Sequence, residues 1–98
     1  MIEVQETEIY SSWFASLKDT QARARIVARV RRLSLGNPGD CGPVGEGVSE
    51  MRIHYGPGYR VYFVAHGSTV AILLGGGDKS TQKDDIAAAK RLARDLKE

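Results

Sequence analysis

Apolar and polar residues alternate along two neighbouring segments in the middle of the chain, residues 48–55 and 59–66. Alternation of this kind is typical of β-strands that bury one face. The intervening Gly56-Pro57-Gly58 is a run of turn residues, so the pattern predicts a β-hairpin. The next segment, residues 70–74, is apolar throughout, which is typical of a strand buried on both faces.

The N-terminal third has helical periodicity instead. Residues 2–5 alternate and predict a short strand, and Thr7 is expected to cap a first helix behind it. Asp19 or Thr20 is expected to cap a second helix, which the Gly-Asn-Pro-Gly run of residues 36–39 ends. The apolar rows are Ile9, Trp13 and Leu17 in the first helix and Ala22, Ile26, Val30 and Leu33 in the second.

Glycine marks the connections that follow. Residues 40–47 are rich in glycine and proline and predict a loop, whereas Gly75–Gly77 is expected to end the last strand as a flexible segment. Thr81 is expected to cap a third helix, with acidic residues in its first turn and basic residues towards its end, as the helix dipole favours. The packing face of this helix is predicted to consist of Ile86, Ala89, Ala93 and Leu96.

The resulting order, β-α-α-β-β-β-α, predicts an α+β fold in a single domain over residues 1–98. We expect a small antiparallel sheet with the two N-terminal helices packed on one face. The other face is predicted to be partly open, unless the C-terminal helix or a partner covers it.

The composition is that of an ordinary globular protein, with 42% hydrophobic residues, 27% charged residues and a net charge of +2. No segment is apolar over a length that spans a membrane, and the N-terminus lacks the features of a signal peptide. We therefore expect a soluble, cytoplasmic protein without a membrane partner. Cys41, His54 and His66 are the only cysteine and histidines, so we expect no internal disulfide, no metal site and no cofactor.

Positive charge is concentrated on the second predicted helix. Arg25, Arg29 and Arg32 recur at helical spacing and form a row beside the apolar stripe. Such a row is compatible with a solvated face, with binding to a polyanion, or with binding to an acidic protein partner. Contact with the phosphates of a nucleic acid would make binding salt-dependent.

The hairpin carries the most informative side chains. With a three-residue turn, His54 lies opposite Arg60 and Arg52 lies opposite Tyr62, so these four side chains point to one face of the sheet. The other face, which is expected to pack on the helices, carries Met51, Ile53, Tyr55, Tyr59, Val61 and Phe63. A shift of the register by one residue would exchange the two faces.

The chemistry of that face has two interpretations. In the structural one, Arg52 pairs with Glu50 or another acid, and Tyr62 is packed. In the functional one, arginine binds phosphate, histidine exchanges a proton near neutral pH, and tyrosine stacks on a base. The set favours a site that cleaves the RNA backbone, which requires a deprotonated 2′-hydroxyl and a stabilised pentacoordinate phosphate. Arg60 is then expected to be exposed and to contribute little to folding.

Two stretches carry a family resemblance. EMRIHYGPGYRVYF (residues 50–63) followed by LLGGGDKSTQKDDIAAA (residues 73–89) resembles the HigB-like addiction module killer proteins of the RelE/ParE toxin superfamily. The resemblance extends from the Trp13-Phe14 helix to the final helix and implies the same order of elements. It also implies a bacterial type II toxin that is inactivated by a cognate antitoxin, usually a helix-turn-helix protein encoded beside it. Such toxins enter the ribosome and cut mRNA there, and we expect metal-independent chemistry.

The resemblance places the basic active-site residues of this family at Arg52, Arg60 and Lys79, with His54 beside them as a candidate base or acid. The candidate RNA-binding residues are Tyr62, Arg25, Arg29, Arg32 and Lys83. Lys79 and Lys83 are expected near the N-terminus of the last helix, which favours anions. The Gly75–Gly77 run lacks the spacing of a nucleotide-binding P-loop, so nucleotide binding is not expected.

Two rival functions share this fold. A ParE-like inhibitor binds DNA gyrase and cuts nothing, and a toxin homologue that has lost its activity serves only as a binding partner. The arginine, histidine and tyrosine cluster favours cleavage. Discrete cuts in mRNA after induction would indicate a nuclease, whereas intact transcripts with damaged DNA would indicate a gyrase inhibitor.

Overall fold

The computed structural model describes residues 1–97, which form five strands and three α-helices. In chain order these are β1 (Glu3–Glu6), α1 (Glu8–Ser16), α2 (Thr20–Ser34), β2 (Cys41–Gly45), β3 (Val48–Ile53), β4 (Tyr59–His66), β5 (Val70–Gly77) and α3 (Gln82–Leu96). A 3₁₀ turn, Lys79–Thr81, leads into α3. The predicted domain ends at Glu98, which lies outside the described residues. Within residues 1–97, no helix has the length and apolar character needed to cross a membrane.

All five strands form one mixed sheet in the order β1-β5-β4-β3-β2. The α+β class is confirmed, as is the predicted order of helices and strands apart from one added strand. β1 pairs in parallel with β5, whereas the other neighbouring strands are antiparallel. Residues 41–45 form β2, so the predicted loop over residues 40–47 is wrong for this part. β2 tolerates its proline because it lies at the edge of the sheet.

Local sequence signals explain where α1 and α2 begin. Thr7 caps α1, and its hydroxyl oxygen accepts a hydrogen bond from the Tyr10 amide at 3.2 Å. Asp19 caps α2 by accepting hydrogen bonds from two amides of the first turn. The predicted apolar stripe of α2 is confirmed, with Ala22, Ile26 and Leu33 buried.

Helices cover both faces of the sheet. The core on the side of α1 and α2 contains Tyr10, Ile26, Leu33, Met51, Ile53, Val61, Phe63, Ala71 and Leu73. The core between α3 and the opposite face contains Val48, Tyr62, Leu74, Ala89 and Ala93. The face predicted to be partly open is therefore covered by the C-terminal helix at these residues, which removes apolar surface from water.

The run Gly75–Gly77 forms the last three residues of β5, so the strand extends beyond the apolar segment and ends with the glycines, as predicted. A Cβ atom on Gly76 would overlap the Trp13 ring, and a Cβ atom on Gly77 would overlap the Asp85 carboxylate. The glycines thus let α1 and α3 approach this end of the strand closely.

The hairpin register differs from the prediction by two residues. Arg52 pairs with Arg60 instead of the predicted Tyr62, and the strands are joined by a longer connection, residues 54–58. A shift of two residues preserves the alternation of faces, so the strand residues keep the faces predicted for them. His54 lies beyond the last strand pair, in the connection.

Candidate functional site

The buried carboxylate of Glu50 holds two arginines of the hairpin. Glu50 is 2% exposed. Its Oε1 accepts a hydrogen bond from Arg52 Nε at 3.1 Å and lies 3.4 Å from Arg60 Nε. Its Oε2 accepts a hydrogen bond from Gln82 Nε2 on α3 at 2.7 Å. Because Arg52 and Arg60 are cross-strand partners, the register itself brings both guanidinium groups to the same carboxylate.

The exposed part of Arg52 meets a second carboxylate. Asp40 Oδ1 accepts a hydrogen bond from Arg52 Nη1 at 3.0 Å, and Asp40 Oδ2 lies 2.5 Å from His54 Nε2. These contacts, first His54 and then Arg52, hold the pKa of Asp40 below its usual value. Asp40 and Glu50 in turn raise the pKa of Arg52, so its guanidinium stays charged. We define Asp40, Glu50, Arg52, His54 and Arg60 as the hairpin cluster.

The hairpin cluster is internally compensated. Its two arginines face two carboxylates, so with a neutral imidazole it carries no net charge. Removing one partner of a buried ion pair is costly because the other charge is left in a poorly solvated place. Arg52 therefore has the carboxylate partners that the structural interpretation expects, and a third of its side chain (33%) remains exposed.

Lys79 lies at the turn of the hairpin. A Cβ atom on Gly58 would stand 3.0 Å from Lys79 Cε, so the aliphatic part of the lysine lies against the glycine. Arg60 Nη1 approaches the Gly58 carbonyl oxygen at 3.5 Å. Gly58 has φ of +82°, a conformation that glycine adopts without strain. Two predicted catalytic residues, Arg60 and Lys79, therefore meet at Gly58.

A basic groove lies between α2 and the end of the hairpin. It has a volume of about 320 Å³ and is lined by Arg25, Ala28, Arg29, Arg32, Ile53 and His54. Within residues 1–97, none of its three arginines forms an ion pair. The fold therefore brings together two features that the sequence presents separately, the arginine row of the second helix and the histidine of the hairpin.

The three groove arginines are held differently. The guanidinium carbon of Arg25 lies 4.7 Å from the centroid of the Tyr55 ring, a cation–π contact. Arg29 is half-buried and donates hydrogen bonds to three backbone carbonyls, two after α2 and one on β3. Burial, and to a lesser degree the charge of Arg32, lowers the pKa of Arg29. Arg29 thus ties α2 to the sheet, while Arg25 and Arg32 remain exposed.

Two predicted site residues are buried beneath α3. Arg60 is 7% exposed and Tyr62 is fully buried, so the predictions of an exposed Arg60 and of a Tyr62 ring that stacks on RNA are wrong. Within residues 1–97 the Tyr62 hydroxyl has no hydrogen-bond partner, and burial together with the charge of Glu50 raises its pKa. The physical reason is α3, which covers the face that the sequence pattern leaves open.

Lys83 lies on another part of the surface. It lines a depression between α3 and the turn that joins β2 to β3, together with Glu46, Ile86, Ala87, Lys90, Arg91 and Arg94. In this depression Arg94 binds Glu46 at 2.6 Å. Lys83 does not line the basic groove.

Asp40 is a residue of the hairpin cluster that the sequence pattern does not predict. Its partners Arg52 and His54 are 12 and 14 positions away, and it begins the segment predicted to be a loop. The available signal is the sequence Gly39-Asp40-Cys41-Gly42, in which an acidic residue stands between glycines that leave room for larger side chains.

Comparison with known proteins identifies the family of this chain and a similar protein. Residues 12–97 match the family described as "Phage derived protein Gp49-like (DUF891)". A protein of Haemophilus influenzae described as uncharacterized is 47% identical over 95 residues, which are 97% of this chain and 96% of that protein. The region matched to the family contains the hairpin cluster and the basic groove.

Proposed function

This chain belongs to the phage-derived Gp49-like family, a family of toxins from toxin–antitoxin systems, and from that premise we propose that it is a HigB-like, ribosome-dependent mRNA endoribonuclease. In this proposal a cognate antitoxin neutralises the protein, and its release stops translation and growth. The partners are the antitoxin, the ribosome and mRNA, all in the bacterial cytoplasm.

The position of His54 carries the proposal. Its side chain is 68% exposed at the basic groove, and its Nε2 contacts Asp40. Imidazole exchanges protons near neutral pH, and the arginines of the groove attract phosphate. A proton-transfer group beside a phosphate-binding surface is what cleavage of the RNA backbone requires.

The proposed reaction uses the 2′-hydroxyl of the RNA as the nucleophile and needs no metal ion. His54 accepts the hydroxyl proton while the 2′-oxygen forms a bond to phosphorus. The bond from phosphorus to the 5′-oxygen breaks, and that oxygen leaves with a proton from solvent, which gives a 2′,3′-cyclic phosphate and a 5′-hydroxyl. The exposed part of Arg52 stabilises the charge on phosphorus oxygens, and Lys79 binds a neighbouring phosphate. Arg60 acts through Glu50 and does not touch RNA.

A gyrase inhibitor without nuclease activity is the second candidate, and one observation favours it. Arg52 and Arg60 are both paired with carboxylates of the protein, which reduces the charge that they offer to a phosphate. A ParE-like protein needs only a binding surface, and the basic groove supplies one.

Induction of the wild-type protein and of His54→Ala tests the proposal. We expect the wild type to arrest growth and to give discrete cuts in mRNA by primer extension, and His54→Ala to lose both because it lacks the proton acceptor. The matched control is His66→Ala, an exposed histidine at the end of β4, which should remain toxic. Intact transcripts with broken DNA would support the gyrase inhibitor. Full toxicity of a folded His54→Ala protein would remove His54 from the mechanism.

A further inference from the structure

The backbone of Asp40 is fixed at the point where the chain enters β2. Its carbonyl oxygen accepts hydrogen bonds from the Arg52 amide at 2.9 Å and from Arg29 Nη2 at 3.0 Å. Arg29 also donates to the Pro38 carbonyl at 2.9 Å and to the carbonyl of Arg52. The connection after α2 is thus held to both the helix and β3, and moving it would leave several donors without partners.

Two glycines beside Asp40 make room for guanidinium groups. A Cβ atom on Gly39 would lie 3.0 Å from Arg29 Nη2, and a Cβ atom on Gly42 would lie 2.9 Å from Arg52 Nη2. Both distances are shorter than ordinary contacts of a Cβ atom, so larger residues would push the arginines away. The sequence around Asp40 therefore suits close contact with both arginines.

The Asp40 side chain divides its two oxygens between Arg52 and His54, at 3.0 and 2.5 Å. His54 is 68% exposed, so little packing restrains its ring. Within residues 1–97 its Nε2 contacts Asp40, whereas Nδ1 forms no hydrogen bond. A carboxylate at Nε2 selects the tautomer with the proton there, which leaves Nδ1 to accept a proton.

We propose that Asp40 is a positioning residue, which fixes the orientation and the tautomer of His54 and holds Arg52 beside it. The inference rests on the proposed function. When the 2′-hydroxyl gives its proton to Nδ1, His54 becomes an imidazolium whose charge the Asp40 carboxylate stabilises without taking the proton. The imidazolium returns its proton to solvent after the bond to the 5′-oxygen has broken. Asp40 itself does not touch RNA.

Cleavage of a defined mRNA on ribosomes by the purified protein tests this role. Asp40→Asn keeps a hydrogen-bond acceptor but removes the charge, and we expect the cleavage rate to fall about 10- to 100-fold, the loss typical when the carboxylate partner of a metal-binding histidine is removed. The fall should appear in kcat rather than in KM, because Asp40 acts on the proton transfer. Asp95→Asn, an exposed aspartate on α3, is the matched control and should cleave normally. In a His54→Ala background, Asp40→Asn should add almost nothing, because the two residues act as a unit.

A second measurement needs no RNA. When the Asp40 carboxyl carbon is titrated by NMR, His54→Ala should raise the Asp40 pKa towards its ordinary value, because the His54 contact is the main cause of the lowering. The other charged groups around this carboxylate, Arg52 and Arg29, are unchanged in the variant. An unchanged titration, or full or enhanced cleavage by Asp40→Asn, overturns the positioning role. Full cleavage by His54→Ala removes His54 from the mechanism and overturns the positioning role with it. No cleavage by the wild-type protein, together with the expected titration, overturns the proposed function instead, since the contact would then exist without serving cleavage.

Discussion

The hairpin cluster and the basic groove are neighbours, yet their arginines have different partners. On the hairpin, Arg52 and Arg60 lie 3.1 and 3.4 Å from one buried carboxylate, that of Glu50. In the groove, Arg25 and Arg32 are exposed, and within residues 1–97 neither has a carboxylate partner. A cation near a site is therefore not by itself a ligand contact. The buried charges of the hairpin hold the strands and α3 together, whereas Arg25 and Arg32 of the groove face solvent.

His54 stands at the boundary between these two regions. It contacts Asp40 in the hairpin cluster, where carboxylates balance the arginine charges. It also lines the basic groove, whose arginines form no ion pair within residues 1–97. In the proposed function, the ion pairs orient His54, and the neighbouring positive potential attracts RNA. Substitutions in one region at a time can therefore test the two contributions separately.

The largest expected effect is a difference in stability between two variants, each of which lacks one arginine from one of the two regions. Arg60→Ala leaves Glu50 buried with one cation fewer, and losing a partner of a buried ion pair costs about 3–5 kcal/mol. Because Arg52 and Gln82 still contact Glu50, we expect the lower value, about 3 kcal/mol, which lowers Tm by roughly 12–24 °C in a domain of this size. Arg32→Ala is the matched control on an exposed surface and should change stability by less than about 0.5 kcal/mol.

Thermal melts of the two purified variants measure this contrast. Equal melting temperatures would show that the Glu50 pairing contributes little to stability and that Arg60 is dispensable for folding, as the sequence predicts.

The hairpin faces and the α2 stripe could be predicted because both depend on periodicity. The alternation of polar and apolar residues survives the two-residue difference in register, so Met51 and Val61 lie in the predicted core although the pairing of Arg52 differs. The turn sequence Gly56-Pro57-Gly58 does not fix how many residues the connection contains, which is why the pairing itself could not be predicted.

The remaining features depend on tertiary contacts. Glycine composition alone does not distinguish a flexible strand end from close packing, as Gly76 against Trp13 demonstrates. The burial of Tyr62 depends on where α3 lies, and periodicity identifies the packing face of a helix but not its partner. Asp40 reaches its partners across a connection whose path is set by Arg29, and no local pattern encodes such a contact.

The salt dependence of ribosome binding compares the arginines of the basic groove with those of the hairpin cluster. Arg25→Gln combined with Arg32→Gln should keep the fold and weaken ribosome binding. The slope of log affinity against log salt should fall by about 0.9 for each lost phosphate contact, and so by roughly two for the pair. Arg52→Gln is the control from the compensated cluster and should change the slope by less, because Asp40 and Glu50 already neutralise part of its charge. An unchanged slope in the double variant would show that the exposed arginines form only a solvated face.

The smallest expected effect is on stability, and it comes from Asp40 in the exposed part of the hairpin cluster. This contribution depends on pH. His54 and Arg52 lower the pKa of Asp40, so the folded protein binds fewer protons at this carboxyl than the unfolded chain does. The contribution of Asp40 to stability is therefore present above its unfolded pKa, near pH 4, and is lost as the pH falls through the lower folded value. Asp40→Asn should be slightly less stable than the wild type above about pH 5, and the difference should shrink below about pH 4. Denaturant melts of both proteins across this range measure it. A difference that persists at about pH 2 would show that Asp40 acts through its hydrogen-bonding shape rather than through its charge.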